Sequence, residues 1–257
     1  MFVEERRQKI LEYLTQKGRL QTKQLVSMLD VSIDTIRRDL LDMEARKLLK
    51  RTHGGAISMK NGDMLQDPSS LIYQEGSPEQ KAVAKEAVAY IRRGDTIFIG
   101  TSFLHHVMLN YIPRSEPFTV VTNGLKIADV LKDYEHIDTY LIGGKIKPSG
   151  SIVDAFAIEF LKGLKIDLCY LAGEGLTPSR GLSTTASEDA VLLRTAAEVS
   201  GQIICMATHE RLGNEAFARV LSLDHIDTVI TDWEAPKDEL QRIFEQGAEV
   251  IVVGDEK

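Results

Sequence analysis

A chain of 257 residues, 43% hydrophobic and 27% charged, has room for one small and one medium domain, each with its own core. It contains no apolar run long enough to span a bilayer, and its N-terminal MFVEERRQKI lacks the hydrophobic stretch of a signal peptide, so the expectation is a cytoplasmic protein without a membrane partner. The net charge of −7 excludes a uniformly basic nucleic-acid binder, but residues 1–60 hold 13 Lys and Arg against 8 Asp and Glu, and the remainder 18 against 30, which suggests a basic module on an acidic body.

Glu4 to Lys17 places Ile10, Leu11 and Leu14 on one helical face, with Gly18 at the C-cap position. Thr22 is expected to cap a short second helix through Leu29, with Leu25, Val26 and Leu29 apolar, and Asp30-Val31-Ser32 forms the turn into a third. Ser32 sits where an N-cap belongs, with Asp34 and Thr35 in the first turn. Ile36, Leu40 and Met43 recur at i, i+4 and i+7 and face a core, which leaves Asp34, Thr35, Arg37 and Arg38 off the apolar stripe. The LLKR of Leu48 to Arg51 then leads to His53-Gly54-Gly55, read as the φ > 0 positions of a tight hairpin.

Alone, two neighbouring arginines on an amphipathic helix read as a solvated face with ion pairs such as Arg38 to Asp42. The order helix, turn, helix, basic wing instead reads as a winged helix-turn-helix on DNA. Asp39 is read as an ion-pair partner within its own domain, because phosphate repels a carboxylate. From RRQKIL to THGGA, and most specifically in Thr35-Ile36-Arg37-Arg38-Asp39-Leu40 and Gly54-Gly55-Ala56, the segment resembles the N-terminal domain of the DeoR family of bacterial transcription regulators. By that resemblance Thr22, Ser32, Asp34, Thr35, Arg37 and Arg38 would meet double-stranded operator DNA in or beside the major groove, with Lys50, Arg51 and His53 on the wing.

Ser58 to Ser77 is polar, turn-rich and aperiodic, and reads as a linker, so the expected division is 1–57, 58–77 and 78–257. From Pro78 onward helices alternate with apolar strands: a helix with Val83, Ala87 and Ile91 on one side, strands at Thr96–Ile99, Phe118–Val121, Thr139–Ile142, Leu168–Leu171, Ile203–Met206, Thr228–Thr231 and Glu249–Val253, and helices between them. Nearly continuous apolar strands separated by helices imply a mostly parallel sheet covered on both faces. Cys169 and Cys205 lie inside such runs and are read as reduced core residues.

The order of GDTIF, VVTN, LIGGK, DLCYLAGEGL, GLST and Ile230-Thr231-Asp232 resembles the C-terminal sensor domain of the same family. The resemblance implies an α/β Rossmann-like fold akin to ribose-5-phosphate isomerase, joined to the α+β winged helix. It also implies a small-molecule effector, a phosphorylated sugar or related metabolite, and a homo-oligomer, since one winged helix reads only a half-site.

In open α/β sheets ligands bind at the carboxyl ends of the strands, and glycine turns and helix N-termini there offer N–H groups to phosphate. The loops in that position, with the resemblance, nominate Thr101, Ser102, Phe103, Asn123, Gly143, Gly144, Lys145, Gly173, Glu188 and Arg211 as effector contacts. The chain departs from the family pattern at several of them. Ser102-Phe103-Leu104 replaces a Gly-Thr-Thr, Asp154 replaces a glycine beyond the Gly-Gly pair, Thr208 and Arg211 replace an aspartate and a lysine, and a lysine after Glu188 falls near Leu193-Arg194. Phe103 would set an aromatic face at the mouth, either to stack on a ring or to fill the cavity.

His105, His106 and His209 match no closed metal spacing, and no metal or cofactor is expected. Glu174, Glu188 and Asp189 are either a carboxylate cluster for acid–base chemistry or a solvated acidic face. An isomerase-like enzyme is the alternative from another class. It is disfavoured because Asp167-Leu168-Cys169-Tyr170 stands where isomerases of the similar fold carry Asp-Gly-Ala-Asp. A ligand-free oligomerisation scaffold is the third reading.

Overall fold

The computed structural model describes residues 3–17, 19–45, 48–52, 54–57 and 76–254. The chain forms two compact units, Met1–Ile72 and Tyr73–Lys257. Among the described residues no helix is long and apolar enough to cross a membrane.

The first unit runs α1 (Val3–Lys17), β1 (Arg19–Gln21), α2 (Thr22–Leu29), α3 (Ile33–Ala45), β2 (Lys50–Thr52) and β3 (Gly55–Ile57). Its core is the set of apolar positions with helical spacing: Ile10 and Leu14 from α1, Leu25 and Leu29 from α2, Ile36, Leu40 and Met43 from α3, closed by Leu20, Leu49 and Ala56. Asp39, on the same helix, is buried as well, and Arg6 and Arg7 both bond its carboxylate.

Three details differ from the sequence reading. Gln21, not Thr22, precedes α2 as its N-cap; its N–H donates to Gln24 Oε1 at 2.8 Å, and Thr22 is the first helical residue. The hairpin is part of a three-stranded antiparallel sheet in the order β1-β3-β2, because Arg19–Gln21 pairs with Gly55–Ile57; three residues are too few to show a period. Gly55 does not take a left-handed φ. It is glycine because β3 passes so close to β1 that a Cβ would collide with the Leu20 carbonyl oxygen. A Gly55→Ala variant is therefore expected to lose about 1–3 kcal/mol of first-unit stability by overpacking, which denaturant titration reads. Gly18, His53 and nearly all of the proposed linker lie outside the described residues.

The second unit runs α4 (Pro78–Val88), β4 (Thr96–Ile99), α5 (Phe103–Met108), β5 (Phe118–Thr122), α6 (Leu125–Leu131), β6 (Ile137–Leu141), α7 (Ala155–Lys162), β7 (Ile166–Leu171), β8 (Gly175–Thr177), β9 (Gly181–Thr184), α8 (Ser187–Glu198), β10 (Ser200–Met206), β11 (Ala218–Leu221), β12 (Thr228–Thr231), α9 (Lys237–Glu245) and β13 (Glu249–Val252). Seven strands form one parallel sheet in the order β13-β12-β10-β7-β4-β5-β6.

Period two along each strand splits the core into two layers. Ile97, Ile99, Leu168 and Tyr170 face one layer with α4, α5 and α6; Phe98, Cys169 and Leu171 face the other with α7, α8 and α9. The Tyr170 hydroxyl is buried but donates to the Ala87 carbonyl at 2.8 Å, so its burial costs little. Cys169 and Cys205 are unpaired and buried, and burial pushes both thiols up to about 12, which makes them inert. A second, antiparallel sheet in the order β11-β9-β8 is absent from the sequence reading. Its strands are short, and β8 and β9 are rich in Gly, Ser and Thr, so they carry little apolar pattern.

Candidate functional site

The first unit offers one face shaped for a partner. Ser32 accepts the Thr35 N–H at 3.2 Å and its hydroxyl lies 2.8 Å from that of Thr35, which fixes the first turn of α3. With Ile36, Leu40 and Met43 buried, Ser32, Asp34, Arg37 and Arg38 are exposed and Thr35 is half-buried. Arg37 contacts Asp34 at 3.5 Å, a solvent-screened pair that a stronger anion can displace. Arg38 makes no ion pair among the described residues; the anticipated pair with Asp42 is replaced by Arg7 to Asp42 at 2.6 Å. On β2, the Arg51 N–H donates to Glu44 at 2.8 Å and its guanidinium lies 3.7 Å from the same carboxylate, which ties the wing to α3. Thr22 is half-buried, and its N–H donates to the Gly54 carbonyl, linking α2 to the hairpin. The Lys50 side chain and all of His53 lie outside the described residues.

In the second unit, the chain lays down β4, β5 and β6 in one direction and then returns to the other flank of β4 to place β7, β10, β12 and β13. The loops leaving β4 and β7 therefore part at the carboxyl edge, the place where such sheets form a crevice. Gly100-Thr101-Ser102-Phe103 and Ala172-Gly173-Glu174 flank it, with Asn123 after β5 and Gly143-Gly144-Lys145 after β6. Thr101 lies against Gly124, where a Cβ would come within 2.8 Å of its methyl group.

Ser102 and Phe103 are both engaged by the scaffold. Ser102 caps α5 by accepting the His105 N–H at 3.3 Å, and its hydroxyl lies 2.8 Å from His105 Nδ1. His105 Nε2 lies 3.0 Å from the Tyr170 carbonyl, which can only accept, so Nε2 carries the proton and Nδ1 accepts from the Ser102 N–H and O–H. Burial drives this imidazole down to about 3, against the smaller upward effect of its bond to Tyr170. His105 is thus a neutral latch between the loop after β4 and strand β7. Phe103 is half-buried and packs on the core layer of α4 and α5.

Asn123 is buried; its Nδ2 donates to the Ile152 carbonyl at 3.2 Å, and its Oδ1 has no hydrogen-bond partner among the described residues. Gly143, Gly144 and Lys145 are exposed. Asp154 caps α7 by accepting the Ala157 N–H at 3.1 Å and also accepts the Lys145 N–H at 2.7 Å. These N–H groups, Lys145 first, hold its carboxyl below the usual carboxylate range.

Gly173 is half-buried beside Ser183 of β9, and Glu174 accepts the Thr185 N–H. Glu188 is exposed at the start of α8, whereas Asp189 pairs with Lys147 at 3.2 Å, so Glu174, Glu188 and Asp189 do not act as one carboxylate cluster. Arg211 is half-buried in a 3₁₀ turn, His209–Arg211, after β10, and makes no ion pair among the described residues. Strand order separates it from the Gly-Gly-Lys loop: β10 and β6 stand four positions apart, about 19 Å at the usual interstrand spacing.

The sequence reading missed one pair. Asp232, fully buried after β12, accepts the His209 N–H at 2.7 Å, the Glu234 N–H at 3.0 Å and His209 Nδ1 at 2.9 Å. Its only signal was the Ile230-Thr231-Asp232 triplet, which says nothing of a partner 23 residues upstream. No group of three His, Cys, Asp or Glu side chains among the described residues is placed to hold a metal ion.

Residues 6–61 match a family described as the DeoR-like helix-turn-helix domain, and residues 76–233 one described as the DeoR C terminal sensor domain. The chain is 32% identical to the HTH-type transcriptional repressor GlcR of Bacillus subtilis, over 90% of this chain and 89% of that protein. It is 27% identical to the glycerol-3-phosphate regulon repressor of Haemophilus influenzae, over 96% of each. A ribose 5-phosphate isomerase from Methanocaldococcus jannaschii superposes on 52% of this chain and 53% of its own, with a TM-score of 0.38 and 12% identity.

Proposed function

Since the chain belongs to the DeoR family of transcriptional regulators, we propose that it represses an operon of sugar or polyol metabolism by placing α3 in the major groove of its operator. The observation that carries this is the division of α3: its apolar stripe and Asp39 are locked inside, while Asp34, Arg37 and Arg38 stand in solvent on one short, capped helix. Arg37 and Arg38 would read base edges or neighbouring phosphates, and Lys50, Arg51 and His53 would follow the backbone from the wing. One such unit covers a half-site, so the repressor would act as a homo-oligomer on a repeated operator.

Arg37→Ala and Arg38→Ala are each expected to weaken operator binding by about 1–3 kcal/mol, roughly 5- to 150-fold, with far-UV circular dichroism unchanged. Affinity should also fall steeply with salt as phosphate contacts release counterions. Unchanged operator affinity in both variants, measured by fluorescence anisotropy, removes α3 from the interface.

The effector would be a carbohydrate-type metabolite held at the carboxyl edge of the sheet, around Thr101, Asn123 and Gly173. Binding would shift the population between DNA-competent and DNA-incompetent arrangements. The matched relatives are named as regulators, and the chain is a DNA-binding regulator rather than an isomerase. Leu168, Cys169 and Tyr170 are core residues of β7, and Asp167 is engaged by the Thr96 N–H at 2.8 Å. Loss of operator binding in the presence of one sugar or polyol, phosphorylated or not, is the expected result. Operator binding that no such compound alters would favour the ligand-free scaffold.

A further inference from the structure

We infer that Leu41 is a specificity-determining residue of α3, and that it contacts the 5-methyl group of a thymine in each half-site of the operator. The inference rests on the placement of α3 in the major groove proposed above and adds a determinant of base sequence to it.

Leu41 is the most exposed large apolar side chain described in the first unit, at 56%, although its neighbour Leu40 is buried. Successive residues of a helix are turned by about 100°. Ile36, Leu40 and Met43 fill the core at i, i+4 and i+7. Asp34, Arg38 and Leu41 repeat that spacing on the opposite side of the helix, and all three are exposed. Arg37 stands off this row, on the flank of Glu44 seven residues later, and Glu44 holds the wing through Arg51. A helix lying in a groove turns the row furthest from its own core toward the base edges. That row is Asp34, Arg38 and Leu41, while Arg37 is turned toward the groove wall on the side of the wing. From Asp34 to Leu41 the row covers about 10 Å of helix axis, roughly three base-pair steps.

A leucine exposed on an ordinary surface has no meaning by itself. This one follows Arg37 and Arg38 by one turn, and helical side chains lean toward the N-terminus, so its apolar end is set beside the two cations that would draw the helix to phosphate. Asp34, the anion of the row, is paired with Arg37 at 3.5 Å and so repels DNA less. Leucine has no group to donate or accept a hydrogen bond, and among the four bases only thymine offers an apolar group, its 5-methyl, on the major-groove edge. Pressed against the amino group of a cytosine or an adenine instead, the same side chain would take water from a donor and give it no partner. The contact therefore discriminates as well as attracts.

The test starts from duplexes selected out of a random-sequence library by the full-length wild type. Each thymine of the selected sequence is replaced in turn by deoxyuridine, which keeps every hydrogen-bonding group of the base and removes only the methyl. Affinities of the wild type, Leu41→Ala and Leu41→Gln are read by fluorescence anisotropy. The wild type is expected to bind about three- to tenfold more weakly when one particular thymine of each half-site lacks its methyl. Both variants are expected to bind the thymine and deoxyuridine duplexes equally, and to keep the wild-type circular dichroism, because the side chain lies outside the core.

A wild type that no deoxyuridine replacement weakens overturns the role given to Leu41, and is the result if Leu41 packs on a second copy of this chain instead of a base. Methyl effects of the same size at every thymine in the wild type and in both variants overturn it as well. If neither variant folds, Leu41 is a structural residue and the role falls. The arginine variants separate these failures from failure of the underlying reading. Should Arg37→Ala and Arg38→Ala bind the selected duplex as tightly as the wild type does, α3 is not in the groove and both readings fall. Should they bind it weakly while the methyl effect is absent, only the role of Leu41 falls.

Discussion

Replacing Asp39 by alanine is expected to unfold the N-terminal unit at a temperature where the C-terminal unit stays folded. Asp39 is buried on α3 and receives Nε of both Arg6 and Arg7, and Arg6 is itself buried. The carboxylate therefore compensates the Arg6 guanidinium, which has left water with α1, and shares the half-buried Arg7 guanidinium with Asp42. Removing it leaves those charges short of their counterion inside a small core, and breaking a buried pair from one side costs about 3–5 kcal/mol. A unit of this size has little more than that to lose. Operator binding should vanish with the fold. Hydrogen exchange should accelerate throughout Val3–Lys17 and Ile33–Ala45 while Thr96–Ile99 keeps its protection. Protection in α1 and α3 equal to that of the wild type would show that Asp39 is dispensable for the fold. Asp39→Asn, which keeps an acceptor but not the charge, should fall between the two.

Acidification supplies the second large effect, through His105. Its folded-state value lies at about 3 against an ordinary 6.5, because the ring is enclosed by α5 and β7 and both nitrogens are committed in the neutral form. The unfolded chain binds a proton in this window and the folded chain does not. The stability that comes from keeping His105 neutral is therefore fully present above about pH 6.5 and is lost as pH falls toward 3. Between pH 7 and pH 5 the loss from this residue alone is about 2 kcal/mol. His106, also lowered by burial, adds in the same direction. Urea unfolding of the C-terminal unit at both pH values, in wild type and in His105→Asn, isolates the term. The variant should be less stable at pH 7 and lose less on acidification. An identical loss in both proteins would mean that the folded chain takes up the His105 proton as readily as the unfolded chain.

What could be read from the chain was whatever local pattern encodes. The stripe Ile36, Leu40, Met43 and its exposed complement Arg37 and Arg38 follow from 3.6 residues per turn, so α3 and the character of its two faces were legible. The alternation of helices with apolar strands implied a parallel sheet for a similar reason, since strands buried on both faces must be apolar throughout. Where patterns were short, legibility failed. β1, β8, β9 and β11 are three or four residues each, and the sheet that β8, β9 and β11 build is spread over more than forty residues of chain.

Tertiary structure alone decided which chemistry each polar residue performs, because the partners are remote in sequence. His105 is two residues beyond the candidate loop, yet its tautomer is set by a carbonyl 65 residues away. Asp154 looked like a mere substitution in a glycine pattern until the fold carried its carboxylate onto the N–H of Lys145, nine residues back. Arg211 and the Gly-Gly-Lys loop were both candidate effector contacts, and strand order sets four strand spacings between the strands they follow. A local sequence fixes the period and direction of side chains along one element; which elements become neighbours is determined by how the whole chain buries its apolar faces, and the candidate effector site is made of those neighbours.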